Sequence, residues 1–217
     1  MRAAAAVALL VSAGPAWAGS VKGTVSVTEK GGRKASDLSE TVVYVDGAKT
    51  KPQPTKVVVT MKAKTFLPHV VVVPVGGTVE FPNQDPIFHN VFSVSGENRF
   101  DLELYKRPKS GSWTFQHPGL VRVYCNIHPQ MSAIVVVRDN PYFTKANADG
   151  SFAIDDVPAG NYVLRAWHER GGETSQDIVV PAEGQVGAQL VLDASSFKRV
   201  QHKNKFGKDY SASDERY

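Results

Sequence analysis

Short apolar runs, alternating or rich in β-branched residues, recur along this chain and are broken by Gly, Pro, Asn and Asp. Residues 21–27 alternate around Gly23, and residues 41–45, 56–61, 70–75, 78–81, 91–94, 112–115, 121–124 and 133–137 read as strands. The pattern returns at 151–154, 162–167, 177–180 and 188–192. No amphipathic helix longer than about two turns is visible, and residues 100–106 allow one short helical turn. Many short strands at regular spacing predict an all-β chain built of sandwiches or barrels.

The pattern stops at both ends. Arg2 is followed by an apolar run from Ala3 to Ala13 and by Ala16-Trp17-Ala18. A charged start, a short apolar run and a small-residue site predict a signal peptide over residues 1–18, and so export to the periplasm. The run is too short to span a bilayer, which takes about 20 apolar residues, and no later one is long enough, so no membrane span is expected in the mature chain. Residues 195–217 are polar, carry Lys198, Arg199, Lys203, Lys205 and Lys208, and lack an apolar period. They read as a basic disordered tail, with a docking arm for an acidic partner as the sharper alternative. The formal net charge is +4, one less once Arg2 is removed. That is too little to argue for nucleic acid.

A lone cysteine, Cys125, changes the picture. It cannot form an internal disulfide, so in an exported chain it is inert, a route to intermolecular pairing, or used. It sits in Val121-Arg122-Val123-Tyr124-Cys125-Asn126-Ile127-His128-Pro129-Gln130-Met131. Strand alternation puts Val121, Val123 and Cys125 on one face, and His128 and Met131 follow on a tight loop. A thiolate, an imidazole and a thioether thus converge within a few residues, and soft sulfur with imidazole favours copper. His89, between Asp85-Pro86-Ile87-Phe88 and a new apolar run, supplies the second imidazole. Asn90 could bond across to the Cys125 loop.

His89-Asn90-Val91 with Cys125-x-x-His128-x-x-Met131 resembles the type 1 copper site of amicyanin and plastocyanin-like cupredoxins. Gly76-Gly77-Thr78-Val79-Glu80-Phe81, Pro118-Gly119 and the last Val-rich run fit the same resemblance, which covers roughly residues 55–138. It implies a Greek-key cupredoxin sandwich, one type 1 copper ion held by His89, Cys125, His128 and axially by Met131, and a one-electron carrier. A redox partner such as a c-type cytochrome or a dehydrogenase is implied in the same way. His128 would be the exposed edge for electron passage. Similar chains are often labelled methylamine utilisation proteins, although nothing in this sequence reads a substrate. His69 and His117 read as structural, and His168 and His202 as exposed.

Copper binding and delivery is the alternative function, but such a protein would want exposed Met and His clusters, and the chain has three Met including Met1. A copper enzyme would need further His-x-His pairs, and none occurs. Structural zinc would prefer a stronger fourth ligand than Met.

Residues 147–164, with Asp149-Gly150 and Pro158-Ala159-Gly160-Asn161-Tyr162, are similar to the transthyretin-like, carboxypeptidase regulatory-like module. Asp-Gly suits a hairpin turn. Residues 20–27 and 41–47 look like its opening strands. The expected division is a leader (1–18), a first part of this smaller β-sandwich module (19–51), a cupredoxin copper domain inserted into it (52–138), a second part (139–194) and the tail (195–217); the competing division makes residues 21–45 extra strands of the copper domain, with a separate module after Asp139. Residues 56–61 are expected beside 133–137.

Overall fold

The computed structural model describes residues 18–210. The expected leader therefore lies outside the described residues except for Ala18, as does the tail beyond residue 210. Regular structure is almost entirely strand, with two single 3-10 turns, at Lys30–Gly32 and Gly96–Asn98. Among the described residues no helix is long and apolar enough to cross a membrane.

The chain opens with β1 (Ala18–Thr28) and β2 (Val42–Asp46). Ten strands follow: β3 (Lys56–Val58), β4 (Thr60–Lys62), β5 (Thr65–Leu67), β6 (Val70–Pro74), β7 (Thr78–Pro82), β8 (His89–Ser93), β9 (Phe100–Tyr105), β10 (Ser110–Thr114), β11 (Gly119–Tyr124) and β12 (Ser132–Arg138). The last five are β13 (Phe143–Lys145), β14 (Ser151–Pro158), β15 (Gly160–His168), β16 (Gly172–Val180) and β17 (Gln185–Asp193).

β1 lies between β14 and β17, antiparallel to the first and parallel to the second. β2 lies between β13 and β15, and β16 closes that sheet. Inward residues of both sheets, among them Val21, Val43, Ile154, Leu164, Ile178 and Leu190, share one core. Residues far apart in sequence thus form one sandwich. The strands between them form a second one, with β10-β7-β3 facing β6-β12-β11-β8-β9 around Phe66, Phe81, Phe115, Val123 and Val135.

A third apolar cluster joins the two. It takes Val42 and Tyr44 from β2, Trp167 from β15, Val70 from β6, and Ile134 and Val136 from β12. This explains why the Val-rich runs do not alternate with polar residues. In β12, Ala133, Val135 and Val137 face one core while Ile134 and Val136 face the joint. A strand covered on both faces has no polar side. Arg138 caps the joint, stacked 3.7 Å from the Tyr44 ring centroid. The segment from β3 to β12 leaves and returns at one corner. The Val75 amide donates to the Arg138 carbonyl at 2.7 Å, and a Cβ on the adjacent Gly76 would lie 3.4 Å from Pro54.

Several expectations differ from the structure. Residues 56–61 do not lie beside 133–137: β3 pairs in parallel with β7, and the edge partner of β12 is β6. The run is split at Val59, whose amide bonds Glu80, after which β4 and β5 form a separate hairpin. Residues 100–105 are a strand rather than a helical turn, because β9 pairs with β8 while Glu103 takes a left-handed φ of 56°. His168 is buried at 5% exposure, and His202 is half-buried with its ring stacked on Tyr124. Among the described residues the tail has no helix or strand, yet residues 202–210 lie against the end of the second sandwich where β11 meets the Cys125 loop.

Gly23 carries β1 through its crowded centre, where an added Cβ would sit 2.0 Å from the Ala188 carbonyl oxygen. Backbone cannot yield as a flexible side chain can. Gly23→Ala should destabilise the protein by about 1–3 kcal/mol, read as a lowered denaturation midpoint. An unchanged midpoint would contradict the threading of β1 between β14 and β17.

Candidate metal centre

Two segments build the site. His89 opens β8, and Cys125 directly follows β11. Between Cys125 and β12 the chain turns tightly: the Cys125 amide donates to the Met131 carbonyl at 3.2 Å, and the Met131 amide to the His128 carbonyl at 3.0 Å. These bonds close the loop at its base, so His128 is held above the end of the sandwich. The loop stays in register because β11 and β12 pair from Gly119↔Val137 to Tyr124↔Ser132.

The donor atoms converge. His89 Nδ1 lies 3.0 Å from His128 Nδ1, and Cys125 Sγ lies 3.6 Å from His128 Nδ1. One ligand atom from each of the three residues falls within 4.8 Å of the others, and all three side chains are buried. Met131 is fully buried in the same core cluster as Cys125.

The surroundings set the protonation of these groups. Asp85 Oδ2 accepts from His89 Nε2 at 2.8 Å, which leaves Nδ1 with its lone pair facing Cys125 and His128. Burial pulls the His89 pKa below its ordinary value, against the pull of Asp85. Asp85 is itself held by the amides of Ala63 at 2.8 Å and Lys64 at 2.9 Å. Those residues form the β4–β5 turn with φ of 53° and 55°, the left-handed pair of a type I′ hairpin. Burial works to raise the Asp85 pKa, but the Lys64, His89 and Ala63 donors bring it below the usual carboxylate value. For Cys125, burial pushes the thiol pKa up, opposed by the amides of Asn90, Ile127 and His128.

Asn90 does join the two segments, but through its backbone: its amide donates to Cys125 Sγ at 3.5 Å. Its side chain turns away, donating to Asp101 Oδ1 at 2.7 Å and to the Glu103 carbonyl at 3.0 Å. His128 is not an exposed edge, being only 1% accessible. Residues 202–210 lie over its loop, with the Tyr210 hydroxyl on the Cys125 carbonyl at 2.7 Å and the Lys205 amide on Asn126 Oδ1 at 2.9 Å. The ring that does face solvent near the site is Phe88, 47% exposed, with Lys106 Nζ 5.2 Å from its centroid. His69 lies elsewhere, bonding the Ser132 carbonyl at 2.9 Å and Glu169 at 2.7 Å, and His117 sits 3.4 Å from Glu97 in a turn.

Sequence reasoning did not single out Asp85, although a carboxylate four residues before a candidate ligand histidine is a usable signal. The tail contacts had none.

A family model described as polysaccharide lyase family 4, domain II, matches residues 126–187, less than half of the chain. No curated protein matches the chain. Among solved structures, a copper-containing nitrite reductase from Thermus scotoductus SA-01 is 32% identical over 44% of this chain, with a TM-score of 0.37. The match covers 25% of the reductase's own length. The reduced state of an amicyanin variant is 30% identical over 38% of this chain and 81% of its own, with a TM-score of 0.35. Amicyanin from Paracoccus versutus is 26% identical over 44% of this chain and 97% of its own, with a TM-score of 0.36. Each of these three similarities spans less than half of this chain.

Proposed function

We propose that this chain is an exported one-electron carrier that holds a single type 1 copper ion through His89, Cys125 and His128, with Met131 as a weak axial ligand. The observation that carries this reading is the buried trio of two imidazole Nδ1 atoms and one thiol sulfur, all within 4.8 Å. The donor set fits copper. Two imidazoles and a thiolate in a near-plane with a distant thioether are the ligands of electron-transfer copper.

Bound there, copper supplies a one-electron couple. The residues supply the rest. Asp85 fixes the tautomer and orientation of His89, and the Asn90 amide donates to the Cys125 sulfur. The loop closure between Cys125 and Met131 holds the donors in place when the charge of the site changes by one. Rigid ligands keep rearrangement small, which favours fast transfer. Burial of all four residues excludes water and disfavours the delivery reading, which needs exchangeable donors. The sequence offers no further histidine pair for a second copper, so a carrier is favoured over an enzyme. A c-type cytochrome or a dehydrogenase is the class of partner such a carrier would serve.

We also propose that residues 52–138 are a copper domain inserted into one module made of 19–51 and 139–194. The pairing of β1 with β14 and of β2 with β15 supports this reading. So does the single corner at which the inserted segment leaves and returns. Guests are accommodated at low cost when their ends lie close together.

Three outcomes test these readings. Copper-loaded protein should show intense visible thiolate-to-copper absorption, and Cys125→Ser should abolish it while the far-ultraviolet β signature persists; colour retained in that variant refutes the ligand assignment. Met131→Leu should keep copper and colour but change its reduction potential, because the axial ligand tunes more than it binds. Loss of all copper from Met131→Leu, with His89→Ala still binding well, would reverse that ranking. Native-state hydrogen exchange should open β1, β14 and β15 as one unit and β7, β8 and β11 as another. Opening of β1 together with β7 and β8 would argue against insertion.

A further inference from the structure

The basic tail makes specific contacts with the metal-site end of the protein, and they converge on one atom group. Lys205 Nζ pairs with Asp101 Oδ2 at 2.6 Å and with Glu103 Oε2 at 3.3 Å. Asp101 Oδ1 accepts from the Asn90 side chain, and the Asn90 amide donates to Cys125 Sγ. On the segment that carries the sulfur, the Tyr210 hydroxyl donates to the Cys125 carbonyl and the Lys205 amide to Asn126. The tail therefore grips both segments that meet at the thiol. Its own shape is fixed: Asn204 Oδ1 accepts from the amides of Phe206 and Lys208, both at 3.0 Å, and Gly207 turns with a φ of 74°. His202 stacks on Tyr124, the residue before Cys125, with centroids 4.0 Å apart and planes at 18°. Lys205 is not a solvated charge, since only 20% of its side chain is accessible.

A strand-poor, cation-rich segment with no apolar period would ordinarily stay in solvent. Ordering it costs conformational entropy, so its contacts with the site must offset that cost. We propose that residues 202–210 are a clamp on the metal centre, in which Lys205 and Tyr210 act as positioning residues for the Cys125 sulfur. Lys205 acts through Asp101 and Asn90, and Tyr210 acts through the Cys125 carbonyl. With the clamp closed the ligand loop is held against β8 and His128 is cut off from water. This inference rests on the copper reading only for its effect on a redox couple. Its effect on the thiol does not depend on copper.

The test uses the full chain carrying Lys205→Met, Tyr210→Phe, or both, with Lys205→Arg as the conservative control. In metal-free protein, the rate at which Cys125 reacts with Ellman's reagent should rise about tenfold in the double variant, the scale of one hydrogen bond plus one partly shielded ion pair. Lys205→Arg should restore the wild-type rate, since it keeps the pairs to Asp101 and Glu103. In copper-loaded protein the reduction potential should fall, because a weaker N–H···S contact and admitted water both favour the oxidised state. Unaltered thiol reactivity in the folded double variant, as judged by circular dichroism, would overturn the clamp. So would a Lys205→Arg rate equal to that of Lys205→Met. Failure of the wild-type protein to take up copper would refute the copper reading instead, and the thiol assay would still decide the clamp.

Discussion

The structure depends on one constraint: two imidazole nitrogens and a thiol sulfur, from His89, His128 and Cys125, must meet in a buried site. Burying three polar groups is costly unless each has a partner. Each does. Asp85 takes the outer nitrogen of His89, His128 Nδ1 faces both His89 Nδ1 and the sulfur, and the Asn90 amide reaches the sulfur. The partners have partners too. Asp85 is held by a turn whose two left-handed residues aim their amides at it. The inner nitrogens and the sulfur face one another, an arrangement that suits a shared cation better than it suits an empty core.

The sandwiches serve that constraint in different ways. The sandwich of β3 to β12 holds His89, Cys125 and His128 at one end of its strands, where β8, β11 and β12 converge. The other sandwich packs against it. Its β2 and β15 cover the outer faces of β6 and β12, so the strand that follows the Cys125 loop is buried on both sides. A rigid β12 fixes one end of the loop and β11 fixes the other.

Much of this was legible in the sequence, for reasons specific to each element. Strands such as β7 and β11 alternate, and their turns carry Gly, Pro or Asn, so their positions followed from the pattern. The spacing of Cys125, His128 and Met131 placed those residues together because a tight loop leaves few alternatives. β9 was not legible: Asp101, Glu103 and the left-handed Glu103 backbone disguise a strand that exists by pairing with β8 and by binding Asn90. The neighbours of β3 and β12 were misjudged because pairing between distant strands depends on crossovers that no local pattern encodes. The burial of His128 and His168, and the docking of residues 202–210, arise from long-range contacts of polar residues, for which apolar periodicity gives no sign.

The central claim is that Cys125 and the two histidines bind one copper as a trigonal thiolate site. Electron spin resonance of the oxidised, copper-loaded full chain tests it most directly. The account predicts a single copper species with the compressed parallel hyperfine splitting that a short, covalent copper–thiolate bond produces. A wide splitting of the ordinary tetragonal kind, or a copper-bound protein whose signal is unaltered by Cys125→Ser, would contradict it.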